Sequence, residues 1–190
     1  MTDDLALEVR TRLPDALRVL LADWPREAWE ADPQFSQLIR FWLDRHLMFR
    51  RLHGMLGTES RAFVEGERDA QAFAGRLNQL GGMLLNELHG HHMVEDQHYF
   101  PKLRRLDRRL ETGFDILDRD HHAIDPLLHG LAGDANAVLA ALDRPDAARA
   151  ASGRLLAGLE RFGGFLDRHL VDEEELVVPV LLAHPEAGLQ

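Results

Sequence analysis

Two short stretches of the chain carry the same reactive groups at the same spacing. His91 to Pro101 reads HHMVEDQHYFP, and His169 to Pro179 reads HLVDEEELVVP. In each stretch a glutamate, Glu95 or Glu173, follows the first histidine by four residues. Because residues four apart lie on one face of a helix, each stretch presents an imidazole beside a carboxylate. Two such pairs that face each other would form a metal site.

Two further histidines have positions that would complete this site. Helix lengths counted from a turn near residue 66 place His46 at the level of His91. The same counting from a turn near residue 146 places His122 at the level of His169. The predicted ligands are four imidazoles, one from each helix, and two carboxylates: His46, His91, Glu95, His122, His169 and Glu173.

The types of ligand indicate which metal such a site would hold. The chain has no cysteine, so imidazole and carboxylate are the strong ligands that it offers. Carboxylates that can bridge, combined with imidazoles, suit two iron or manganese ions better than one zinc ion. We expect both glutamates and an oxo or hydroxo group to bridge the two ions, leaving an open position for a small ligand. A ferritin-like site would need Glu-x-x-His twice, and this motif occurs once, from Glu95 to His98.

The elements that position these residues are predicted to be helices throughout. Apolar residues recur at helical spacing in four segments, over about residues 33–66, 69–106, 114–142 and 147–182. No segment shows sustained alternation of apolar and polar residues, which favours an all-α fold. We interpret residues 1–32 as an N-terminal helical appendage and residues 33–190 as a single bundle domain.

The second half of the chain repeats the first. RHLMFRRLHGML in the first helix aligns with HHAIDPLLHGLA in the third, which pairs His46 with His122 and His53 with His129. This repeat predicts two helical hairpins in an up-down-up-down four-helix bundle, whose core is an established place for metals. His53 and His129 lie two turns beyond the predicted ligands, and we expect them to face the core and to hydrogen-bond each other or a shared water.

Charge and hydropathy exclude several classes of partner. The formal net charge of -10 argues against nucleic acid and anionic membranes, since both require a basic surface. The acidic start MTDDLALEVR differs from a secretory signal, and no apolar run reaches the roughly 18 residues of a membrane span. We expect a cytoplasmic protein.

At these residues the sequence resembles the hemerythrin-like (HHE cation-binding) proteins. Their pattern is H, H-x-x-x-E, H and H-x-x-x-E over four helices, and F-P or V-P often closes the second and fourth motifs. The six predicted ligands follow this order, with Phe100-Pro101 and Val178-Pro179 as the dipeptides. The resemblance covers about residues 35–183. It implies a non-haem di-iron centre that handles O2, hydrogen peroxide or nitric oxide, or that senses iron or oxygen.

The chain departs from the oxygen-carrying hemerythrins at two positions. Those proteins have a second histidine four residues after the third-helix histidine, where this chain has Pro126. They have a carboxylate five residues after the fourth-helix histidine, where Glu174 competes with Glu173. Fewer imidazoles would favour redox turnover or sensing over reversible oxygen storage. We expect Asp96 and Glu174 to lie behind the ligands or at the surface.

These observations predict a non-haem di-iron protein that binds or reacts with a small oxidant in the response to redox stress. Manganese or zinc would be substitutes for iron. The alternatives are a module that senses oxygen or iron, or that stores or donates iron without turnover, and a site in which the metal only holds the helices together. Consumption of peroxide or nitric oxide by the iron-loaded protein would distinguish an enzyme from the other classes.

Overall fold

The computed structural model describes residues 3–187, which form helices, turns and loops without a strand. The all-α helical bundle predicted from the sequence is confirmed. The helices are α1 (Gln37–Val64), α2 (Ala70–Val94), α3 (Phe100–Leu106), α4 (Glu111–Leu139) and α5 (Pro145–Ala183). The residues that precede α1, called here the N-terminal segment, contain short 3-10 turns at Asp3–Leu5, Asp15–Leu17, Val19–Ala22 and Arg26–Ala31.

The chain divides across its long helices into two compact units. The first, called here the site unit, comprises Met1–Leu47, His91–Ala123 and Asp167–Gln190. The second comprises Met48–Gly90 and Ile124–Leu166. All six predicted ligands lie in the site unit, together with the N-terminal segment. The domain boundary near residue 32 that the sequence suggested stays a prediction.

The site unit has its own apolar core, to which the N-terminal segment contributes. Leu20 and Trp29 of the segment are buried with Trp42 of α1 and Phe114 of α4. The apolar run after the second His-x-x-x-Glu motif, residues 176–182 of α5, packs in the same cluster. The indole nitrogen of Trp29 donates a hydrogen bond to the Trp24 carbonyl at 2.8 Å. These contacts fix the segment against the helices that carry the predicted ligands.

Prolines interrupt the helices less than their chemistry alone suggests. Helix α4 continues through Pro126, and α5 continues through Pro179. Between α2 and α3, residues Glu95–Tyr99 form a π-helical turn in which the Phe100 N–H bonds the Glu95 carbonyl. Pro101 follows in the first turn of α3, where a missing N–H costs little. The π turn begins at a predicted ligand, and such turns are frequent at functional sites.

The second unit corrects the prediction for His53 and His129, which do not pair with each other. His129 is exposed, with Nδ1 2.8 Å from the Asp125 carbonyl oxygen of its own helix. His53 is half-buried, with Nε2 2.8 Å from the Leu159 carbonyl oxygen. The helical phase of α4 explains the difference, because it buries Leu128 and turns the next residue outward.

Within the described residues, no helix combines the length and the apolar character that a membrane span needs. The cytoplasmic location stays a prediction.

The contact of His53 with α5 depends on a glycine and gives a first prediction. A Cβ at Gly163 would lie 2.5 Å from His53 Cε1, whereas a Cβ at the neighbouring Gly164 would meet nothing within 4 Å. Gly164→Ala should stabilise the protein by up to about 1 kcal/mol through helix propensity. Gly163→Ala should be less stable than that control by about 1–3 kcal/mol, because the imidazole must leave its carbonyl acceptor. Urea denaturation measures both, and equal stabilities would show that the contact is unimportant.

Candidate metal centre

Four side chains of the site unit converge on one point. They are His46 of α1, His91 of α2, Glu95 at the start of the π turn and Glu173 of α5, and their donor atoms all lie within 4.8 Å of one another. The two imidazole Nε2 atoms are 3.1 Å apart. Glu95 Oε1 lies 2.8 Å from His91 Nε2, and Glu173 Oε1 lies 3.2 Å from His46 Nε2. We call this group the first cluster.

Three further imidazoles form a second cluster. His92, His121 and His169 are buried and offer nitrogen atoms within 4.8 Å of one another. The rings of His92 and His121 stack with centroids 4.0 Å apart. The ring of His169 stands at a steep angle to that of His121, with centroids 4.8 Å apart. This group consists of nitrogen donors only.

The two glutamates face both clusters. Each has one oxygen in the first cluster, as described above. The other oxygen of Glu95 lies 3.5 Å from His121 Nε2, and the other oxygen of Glu173 lies 3.3 Å from His169 Nε2. Each of the two carboxylates is thus shared between the two clusters.

Many of these buried atoms make no hydrogen bond within the described part of the chain. The contacts that Glu95 makes with His91 and His121, and the contact of Glu173 Oε2 with His169, lack hydrogen-bond geometry. The atoms without a partner are Glu95 Oε1 and Oε2, Glu173 Oε2, both ring nitrogens of His92, His121 Nε2 and His169 Nε2. A buried polar group without a partner costs about 1–3 kcal/mol. A convergent group of such atoms, all oxygen or imidazole nitrogen, fits metal ions as the missing partners.

Burial keeps two of the imidazoles neutral. It lowers the pKa of His91 to about 3, because the opposing attraction of Glu173 is weaker. Burial and the adjacent His121 lower the pKa of His92 well below its usual value. Both rings therefore have a lone pair available for a metal at neutral pH.

The carboxylates differ in pKa because they lie close together. Burial alone would raise the pKa of Glu173, but His46 and His169 hold it well below the usual range. Burial and the charge of Glu173 raise the pKa of Glu95 well above it. Burial also opposes the charged form of His169, yet its hydrogen bond to Asp120 and the nearby charge of Glu173 raise its pKa to about 9. A metal cation between the carboxylates would favour the ionised form of both.

Three of the imidazoles are held from behind by carboxylates. In each case Nδ1 lies near an acid and Nε2 faces the clusters, which is how metal-binding histidines are usually oriented. The contacts are His46 Nδ1 to Glu174 Oε1 at 3.0 Å, His121 Nδ1 to Asp96 Oδ1 at 2.7 Å, and His169 Nδ1 to Asp120 Oδ2 at 3.3 Å. Asp96 and Glu174 thus lie behind the imidazoles, as the sequence suggested.

One tryptophan also holds a glutamate in place. The indole N–H of Trp42 donates a hydrogen bond to Glu173 Oε1. Its ring makes an edge contact with Tyr99, with centroids 4.9 Å apart. Phe100 packs against His121, with centroids 5.5 Å apart. Aromatic side chains therefore line part of the surroundings of the clusters.

The structure brings together five of the six predicted ligands, and His122 is the exception. His122 is exposed, with Nδ1 2.8 Å from the Asp118 carbonyl oxygen of its own helix. Its neighbour His121 lies at the clusters. The prediction aligned the repeated letters and missed the helical phase: Leu117, Ile124 and Leu128 are buried, and a histidine in phase with them stands at 121. The oxygen carriers have a second histidine four residues after the third-helix histidine. Counted from His121, that position is Asp125 in this chain.

His92 is the other residue that sequence reasoning missed. It lies four residues after Leu88 and three before Glu95, both buried, so its phase already indicated an inward position. With His92 included, the clusters contain five imidazoles and two carboxylates. The second helix thus places two adjacent histidines, His91 and His92, at the clusters.

Helices that bury groups of imidazole and carboxylate define this chain as a metal-binding helical bundle. The family model of the hemerythrin HHE cation binding domain matches residues 37–181. The chain belongs to this family, which implies that it binds metal ions. No curated protein and no solved structure gives a significant match to the chain.

Adjacent histidines on α4 provide a matched test of the corrected ligand. His121→Gln should lower the metal content of the purified protein, because it removes a buried imidazole from the second cluster. His122→Gln should leave it at the wild-type value, because that ring is exposed. Elemental analysis gives the metal content, and circular dichroism checks that both variants keep their helices. Loss of metal in His122→Gln alone would restore the original assignment.

Proposed function

We propose that the site unit holds two iron ions, with manganese or zinc as substitutes. Imidazoles of the first cluster would bind one ion and those of the second cluster the other. Glu95 and Glu173 would bridge the ions. The observation that carries this proposal is the position of these two glutamates, each with one oxygen toward either cluster.

A bound iron pair would supply redox chemistry toward a small oxidant: O2, hydrogen peroxide or nitric oxide. The chain's own residues would bind and orient the ions. The first cluster has two imidazoles and the second has three, so the first ion would have fewer protein ligands. An incoming small molecule would therefore bind at the first cluster.

Exposure of the side chains supports the same location. The His91 side chain is 10% exposed, whereas those of Glu95, His46 and Glu173 are at most 1% exposed. His91 is thus the most exposed member of the first cluster. Trp42 keeps one oxygen of Glu173 hydrogen-bonded, and this contact would hold the carboxylate while a ligand enters.

The number of imidazoles bears on whether the protein consumes its oxidant or only binds it. Four imidazoles, as read from the sequence, would favour redox turnover or sensing over reversible oxygen storage. The five imidazoles of the structure support reversible binding as a second candidate function. Addition of peroxide to the iron-loaded protein separates them: catalytic consumption supports an enzyme, and a spectral change without consumption supports a binding protein.

The bridging carboxylates give the test of the iron pair itself. Iron-supplied wild-type protein should contain two ions per chain. Glu173→Ala should lose both, because the bridge is shared, while helix content survives on the apolar core. Glu175→Ala, two residues further along α5, should keep both. Elemental analysis and the visible absorption spectrum measure the outcome, and a wild-type stoichiometry of one ion would contradict the proposal.

His92 provides a separate test of the second ion. Loss of a hydrogen-bond partner behind a metal ligand weakens metal binding by roughly 10–100-fold. His92→Gln should weaken it by more than this, because both ring nitrogens of His92 are buried in the second cluster. His89→Gln on the same helix is the control, since that side chain is 64% exposed. A competitive titration with a metal indicator gives both affinities. Equal affinities in the two variants would mean that His92 only packs against its neighbours.

A further inference from the structure

The N-terminal segment lies outside the matched residues 37–181, yet two of its arginines reach the carboxylates behind the clusters. Arg10 contacts Asp120, whose side chain is near His169. Arg26 contacts Glu174, whose side chain is near His46. One imidazole of each cluster is thus connected through a single carboxylate to an arginine of this segment.

Arg10 is a buried charge with all its partners in the site unit. Its side chain is 2% exposed. Both terminal nitrogens bond Asp120, Nη1 at 2.8 Å from Oδ1 and Nη2 at Oδ2, and Nε donates to Asp172 Oδ2 at 2.9 Å. Asp172 also accepts the Leu13 backbone N–H at 3.0 Å. A guanidinium that bonds a carboxylate with two nitrogens fixes its orientation as well as its charge.

One oxygen of Asp120 contacts both Arg10 and His169. Asp120 Oδ2 accepts from Arg10 and also lies 3.3 Å from His169 Nδ1. Any movement of Arg10 would therefore change both the direction and the basicity of the acceptor behind His169. Partners behind a metal-binding histidine set ring orientation and ligand strength in this way.

Arg26 makes the corresponding contact on the first cluster. Its Nη1 donates to Glu174 Oε2 at 2.7 Å, and the other oxygen of Glu174 lies 3.0 Å from His46 Nδ1. The guanidinium is held over the ring of Trp29, 4.7 Å from its centroid. Trp29 is 3% exposed and belongs to the core of the site unit. Its ring therefore holds the Arg26 guanidinium in place, although the Arg26 side chain is 43% exposed.

We propose that the N-terminal segment positions one imidazole in each cluster and tunes the redox potential of the metal centre. This inference rests on the proposed function, because it requires that iron occupies the clusters. Arg10 acts on His169 through Asp120, and Arg26 acts on His46 through Glu174. Both are positioning residues, and neither touches the clusters directly.

Arg18 supplies a matched control from the same segment. It is buried, at 8% exposure, and bonds Asp15 and Glu175. Within the described residues, neither of these carboxylates contacts an imidazole of the clusters. Arg18 therefore anchors the segment to α5 in the same chemical manner, and its loss tests docking of the segment separately from positioning of an imidazole.

The main experiment compares Arg10→Met, Arg26→Gln and Arg18→Met in the full iron-loaded chain. Removing a positive charge near iron favours the oxidised state, so the midpoint potentials of Arg10→Met and Arg26→Gln should become more negative. The shift should be larger for Arg10 because its charge is buried and screened less. Arg18→Met should lower thermal stability with a much smaller shift. Equal shifts in all three variants, or none in the first two, would overturn the proposal.

A second measurement assigns the effect to individual imidazoles. In the zinc-loaded protein, proton magnetic resonance detects the hydrogen-bonded Nδ1–H of His46 and His169. Arg26→Gln should move the His46 signal and Arg10→Met the His169 signal, whereas Arg18→Met should move neither. Should Arg10→Met fail to fold, the more exposed Arg26 still decides the matter.

The outcomes separate the two proposals. A wild-type protein that takes up two ions, with variant signals and potentials that match those of Arg18→Met, would overturn only the positioning role. A wild-type protein that takes up no metal would overturn the proposed function and the positioning role together.

Discussion

The structure depends on one costly arrangement, the burial of five imidazoles and two carboxylates against one another inside the site unit. Such groups lose their hydration, and several of them gain no hydrogen bond in return. The arrangement persists only if something else satisfies them, and metal cations are the partners that this mixture of oxygen and nitrogen atoms fits. The membership of the chain in the hemerythrin HHE family agrees with this reading.

The rest of the site unit can be understood as support for this arrangement. Carboxylates hold the outer nitrogens of three imidazoles, and Trp42 holds a glutamate. The N-terminal segment adds the positive charges that buried acids such as Asp120 and Asp172 need. A buried charge without its partner is strongly destabilising, by about 3–5 kcal/mol. The stability of the segment and the properties of the centre are therefore physically coupled.

Much of the fold and of the site could be predicted from the pattern of residues. Helical periodicity gave the helices to within a few residues, because a long amphipathic repeat has one stable local structure. The duplicated His-x-x-x-Glu motif identified four of the side chains that meet, and counting helix levels from the predicted turn added His46. The errors at His122 and His129 arose from matching letters between repeats. Along α4, His122 and His129 each directly follow a buried residue, His121 or Leu128. One residue turns a helix by more than a quarter of a circle, so both histidines point away from the core.

The sequence by itself determined the all-α class, the duplicated motif and the kinds of donor that the site offers, because these follow from local spacing and residue chemistry. Only the tertiary structure decided that His92 joins the second cluster and that each glutamate faces both clusters. The same holds for Arg10 and Arg26, which reach carboxylates more than a hundred residues away along the chain. Contacts between residues so far apart depend on how helices pack and on where a non-repetitive segment runs, and no local pattern encodes either.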